Sequence, residues 1–103
     1  MTSTNLVVLA QTLPEAWRST VVAGIGDAKL KILRMDQAAH AEERHAHDEA
    51  FVVLEGELQL TIAGAPSVLR RHELCVIPAG VLHGVAAGSA GTLMIVDTHA
   101  REA

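Results

Sequence analysis

The chain has no tyrosine, one tryptophan (Trp17) and one phenylalanine (Phe51), so aromatic residues make up only 2% of it. That poverty removes the stacking platforms of a single-strand nucleic-acid reader, a sugar-stacking pocket or an aromatic cation cage. Cations are scarce too. Lys and Arg number 8 against 12 Asp and Glu, and the net charge is -4. Lys29, Lys31 and Arg34 are spread along one segment rather than clustered, so no nucleic-acid partner is expected. A single cysteine, Cys75, excludes an internal disulfide and a cysteine-based zinc knuckle. In its apolar run it reads as a small buried hydrophobe. No apolar run approaches the roughly 20 residues of a membrane helix. Residues 1–9 lack the basic start and long apolar centre of a signal peptide. The expectation is a cytoplasmic chain with no membrane partner. At 103 residues the chain makes one domain, residues 1–103. Its 50% hydrophobic content supports a core only if that core is well packed.

Short extended segments, separated by Gly and Pro, fill most of the length. Residues 5–9 read as a strand. Thr12 is placed to cap a single helical turn, with Pro14 and Glu15 in its start and Trp17 over one end of the core. Strands follow at 20–23 and 29–35, then an Ala-rich loop at 37–42 in which His40 is solvated. A strand runs to Glu55, and Gly56 marks a tight turn. Leu58, Leu60 and Ile62 alternate with Gln59 and Thr61, a period of two. Residues 63–66 form a hairpin turn by composition, and 67–70 return. Further strands occupy 74–77, 81–86 and 92–98. His72 sits at an exposed turn, and the tail from His99 is polar and frays. About nine to ten short strands with at most one helical turn describe an all-β sandwich or barrel.

One stretch carries chemistry. Glu43, His45, His47 and Glu49 occupy alternate positions and lead into the apolar run 50–54. In an extended segment these four share one face. Imidazole and carboxylate together suit Zn, Fe, Mn, Ni or Cu.

The motifs around this stretch resemble those of the cupins, small β-barrels of jelly-roll topology. The first cupin motif reads Gly, five residues, His-x-His, three or four residues, Glu, six residues, Gly. Here Gly56, Glu49 and His45 match; Glu43 stands at the first His position and Gln37 at the leading Gly. The second motif reads Gly, five residues, Pro-x-Gly, two residues, His, three residues, Asn. Pro78, Gly80 and His83 match, while His72 and Ala87 depart from it.

The resemblance implies a cupin jelly roll holding one divalent metal ion (Zn, Mn, Fe or Ni). Carried over position by position, its ligands are Glu43, His45, Glu49 and His83. His47 offers a replacement for Glu43 if the chain bends at Asp48, a residue suited to such a bend. The reading ranks His45, His47, Glu49 and His83 first, with Glu43 as the alternative, because imidazole is the family's ligand type. Gln59 and Thr61 are candidates for a polar group beyond the ligands. The resemblance also implies a small-molecule ligand and a homodimer, with Val7, Val8, Leu9, Val21 and Val22 in incompletely covered N-terminal strands. A metal-dependent enzyme acting on a small oxygen-bearing molecule, a non-catalytic binding or sensor module, and a metal-free scaffold all stay open at this point.

Overall fold

A computed structural model describes residues 2–98; the tail from His99, read as frayed, lies outside the described residues. Among them the order is α1 (Leu6–Gln11), β1 (Thr20–Ile25), β2 (Ala28–Met35), β3 (His40–Glu43), β4 (Glu49–Ile62), β5 (Ala65–Arg70), β6 (Leu74–Ile77), β7 (His83–Val85) and β8 (Ala90–Asp97). All pairings are antiparallel, in the path β1-β2-β8-β4-β7-β3, with β5 and β6 also on β4. No helix here is long and apolar enough to cross a membrane.

The first segment departs from the sequence reading. Residues 6–11 are helical, not extended. The Asn5 side chain accepts a hydrogen bond from the Val8 N–H and caps the start. Thr12 closes the same helix instead of opening another: its N–H reaches the Leu9 and Ala10 carbonyls, and its hydroxyl donates to Leu9 O. A short apolar run has no period that separates helix from strand. Packing decides it here, for Ala10 is fully buried.

β4 is the hub. Its first half, from Glu49 to Val52, lies between β6 and β8, and its second half between β5 and β7. The sequence reading puts a turn at Gly56, where the structure bends one continuous strand; this merger and the helix at Leu6–Gln11 each remove a strand, β3 adds one in the stretch read as a loop, and eight strands form among the described residues. Gly56 (φ 77) lies opposite Gly91 (φ 105), and the β4–β8 register shifts between Val53 and Glu55. That extra residue exchanges the two faces of the strand. Before it Glu49, Phe51 and Val53 are buried; after it Leu58 and Leu60 are. Both halves therefore point into one core, formed with Leu33, Met35, Leu69, Ile77 and Leu93. Trp17 and Cys75 pack on its margin, half-buried. At the other end of β4, Ala63 and Gly64 both take positive φ and make the two-residue hairpin turn to β5.

Residues on the opposite face of the first half point outward. Ala50 lies beside Val76 and Val96, and Val52 beside Leu74 and Met94. Leu74 and Val76 keep more than half of their surface exposed, at 61% and 54%.

Candidate metal centre

Glu43 ends β3, Glu49 opens β4 and His83 opens β7. Residues 44–48 between the first two lie outside the strands, with a bend at Ala46 and His47. The alternate-position reading of one flat face therefore gives way to a bend. Two hydrogen bonds hold that bend against the turn before β7. The Gly80 N–H donates to His45 O at 2.8 Å, and the Ala79 N–H donates to the Asp48 carboxylate at 2.8 Å. Pro78 and Gly80 (φ 81) shape the receiving turn. Glu43 and His83 are direct cross-strand partners. Backbone geometry thus brings both motif segments to one place.

The side chains converge there. The Glu49 Oε1 lies 2.9 Å from His83 Nε2 and 3.6 Å from His45 Nε2, and Glu43 Oε1 lies 3.3 Å from His45 Nε2. Donor atoms of Glu43, His45 and His83 all fall within 4.8 Å of one another. A metal with bonds of about 2.1 Å holds adjacent ligand atoms roughly 3.0–3.4 Å apart, so these separations are ligand-like. His83 Nδ1 is 2.9 Å from the Val81 carbonyl, which can only accept, so that ring nitrogen carries the proton. In the neutral ring Nε2 then offers a lone pair, and it faces a carboxylate oxygen at 2.9 Å. Two acceptors at that distance require a cation between them, a proton or a metal ion. Glu49 and His83 are buried, His45 is half-buried and Glu43 is exposed.

His47 lies beside this group. Its ring stacks on His45 with centroids 5.1 Å apart and an angle of 24°. Its donor atom falls together with Glu49 and Asp97 instead. The sequence reading ranks His47 above Glu43; the structure groups Glu43 with His45 and His83.

A cavity of about 400 Å³ opens from the centre. Leu33, Phe51, Leu58, Leu60, Leu93 and Ile95 give it an apolar wall; Glu43, Glu49 and His83 give it a polar one. Phe51 meets His83 edge-on at 6.0 Å, fixing the ring from the core side. Gln59 and Thr61 do not line this cavity. Ser19, Trp17 and His40 do. His40 is exposed, as its sequence context suggests, but its ring leans on Trp17 at 4.5 Å and borders the cavity from β3. Trp17 is pinned by its Nε1–H, which donates to Asp36 at 2.6 Å. Asp36 also accepts from the Ala38 N–H, and these two bonds, Ala38 first, hold its carboxyl below the usual 3.8. Asp97, buried opposite Glu49 at the end of β8, is a carboxylate that sequence reasoning misses. Its only signal is a carboxylate at the end of a strand whose inward positions are otherwise apolar.

The cupin domain model matches residues 32–99. No curated protein matches the chain. Solved structures of the same fold include a cupin-2 domain containing protein from Shewanella frigidimarina, 26% identical with a TM-score of 0.81, covering 93% of this chain and 94% of that one. An RmlC-like cupin from Desulfovibrio desulfuricans is 20% identical, with a TM-score of 0.75 and coverage of 95% and 96%. KdgF from Halomonas sp. is 22% identical, with a TM-score of 0.70 and coverage of 82% and 79%. With the family model spanning well over half of its length, and with this barrel and this His/Glu group, the chain belongs to the cupin domain family.

Proposed function

We propose that this cupin holds one divalent metal ion through Glu43, His45, Glu49 and His83 and binds a small oxygen-bearing molecule beside it. The observation that carries the reading is the convergence of Glu43, His45 and His83 donor atoms within 4.8 Å of one another, with Glu49 Oε1 2.9 Å from His83 Nε2. Two imidazoles and two carboxylates suit Mn or Fe better than Zn. Glu43 takes precedence over His47 in this set because its oxygen shares the point reached by His45 and His83.

The metal would supply Lewis-acid or redox activation of a bound oxygen. The chain's own residues do the rest. Leu33, Phe51, Leu58 and Leu60 accept the apolar body of the ligand and keep water away from it. His40 borders the cavity outside the donor set and can take or give a proton, which is what an isomerisation or hydrolysis needs beyond its metal. The test uses protein purified without a histidine tag. Mn(II) should raise the melting temperature of the wild type by more than that of His83→Ala, since an ion that binds only the folded state stabilises it. An equal rise in both would remove the reading.

We also propose that two copies pair through the outward apolar face around Val52, Leu74, Val76, Met94 and Val96. Supporting it are the exposure of Leu74 and Val76 and the register that puts all five on one face. Of the residues expected to drive pairing, Val7, Val8 and Leu9 lie in α1, which packs on β2, and Val21 lies on the β1 edge.

A further inference from the structure

Asp97 has no place in the centre described above. It ends β8, directly opposite Glu49 of β4, with only 4% of its surface exposed. Its Oδ2 accepts from Lys31 Nζ at 3.0 Å. Its Oδ1 is buried without a hydrogen-bond partner among the described residues. A desolvated carboxylate oxygen left that way is costly, and such groups in folded proteins call for an explanation. Lys31 does not supply it, because its ammonium reaches Oδ2 and leaves Oδ1 without a donor among the described residues. An Asp97 carboxylate oxygen, a Glu49 oxygen and a His47 ring nitrogen lie within 4.8 Å of one another.

We propose that His47, Glu49 and Asp97 form a second divalent-cation site, bridged by Glu49 to the first. The bridge makes the proposal rest on the single-ion reading above. A carboxylate has two oxygens; Glu49 Oε1 belongs to the His45 and His83 side. Bridged metal pairs sit about 3.5–4 Å apart. The stacking of His47 on His45 fits that spacing. The two rings lie 5.1 Å apart, and the His47 donor atom groups with Glu49 and Asp97 while that of His45 groups with Glu43 and His83. One nitrogen and two carboxylate donors suit Mn or Fe, and Lys31 on Asp97 Oδ2 provides a countercharge.

The probe is Mn(II), added to metal-stripped, tag-free protein and followed by equilibrium dialysis and electron paramagnetic resonance. The wild type should bind two ions per chain and give the exchange-coupled spectrum of a bridged pair. His47→Ala, on a bend outside the strands, should bind one ion and give an uncoupled spectrum; Asp97→Asn should do the same. His83→Ala should also retain one ion, held by the second set. A wild type that saturates at one ion, or a coupled spectrum that survives in both His47→Ala and Asp97→Asn, overturns the proposal. If His83→Ala alone leaves the binding unchanged, the first site is what fails, and the His47 and Asp97 variants still decide the second.

Discussion

Substituting Gly91 by alanine tests the bend that sets both ends of β4. A Cβ at Gly91 would stand 2.0 Å from the Glu55 carbonyl oxygen, 2.5 Å from its carbon and 2.9 Å from the Gly56 Cα. All three are backbone atoms, so no rotamer change relieves the overlap. The residue also sits at φ 105, where an L side chain is strained by about 1–2 kcal/mol on its own. Parting β4 from β8 at their closest approach brings the total to about 3–5 kcal/mol. In a domain of this size each kcal/mol lowers the melting temperature by roughly 4–8 °C. Gly91→Ala should therefore melt at least roughly 12 °C below the wild type by circular dichroism, measured with a chelator present so that metal binding does not mask the loss. Gly64→Ala is the control. Its φ is 81, yet nothing lies within 4 Å of an added Cβ, so only the backbone strain of about 1 kcal/mol applies. Equal losses in the two variants would refute the view that backbone contact between Gly56 and Gly91 holds the bend.

Three more outcomes follow from the contacts described. Lys31→Met strands the buried Asp97 carboxylate and should cost about 3 kcal/mol in denaturant unfolding; Lys31→Met with Asp97→Leu should recover most of it, and a double variant as weak as the single would contradict this. The Asp36 carboxyl is held below 3.8 in the fold, so its contribution is complete above that value and disappears as pH falls through the folded-state value. The melting-temperature gap between wild type and Asp36→Asn should stay constant from pH 7 to about 5 and close below about pH 3.8; a gap that widens in acid would reverse the sign. Val76→Asp should shift the mass seen by light scattering from dimer to monomer, and a wild type already monomeric at tens of micromolar removes the dimer proposal.

Much of the barrel is legible in the sequence because its signals are local. The alternation of Leu58, Leu60 and Ile62, the Ala63-Gly64 turn and the apolar run at 74–77 each specify a strand or its end without help from the rest of the chain. Gly56 is misread as a turn because a bulge and a turn both ask for positive φ. Only the facing Gly91, far away in sequence, shows that the strand continues. The helix at Leu6–Gln11 is hidden for the same kind of reason: the burial of Ala10, not a period in the run, selects it. The convergence of His45, Glu49 and His83 is legible from motif spacing. The choice between Glu43 and His47 is not, because it depends on how residues 44–48 bend, and the bonds from Ala79 and Gly80 that set the bend come from another motif. Asp97 is invisible until β8 is laid beside β4 and puts it opposite Glu49.

The central claim is that an ion sits between His83 and Glu49 and draws in Glu43 and His45. Anomalous diffraction from a crystal soaked in Mn(II) and grown from tag-free protein tests it directly. A peak should lie about 2.0–2.3 Å from His83 Nε2, His45 Nε2 and oxygens of Glu49 and Glu43. A Mn-saturated crystal with no peak there, and with His83 Nε2 still 2.9 Å from Glu49 Oε1 across a shared proton, would contradict it.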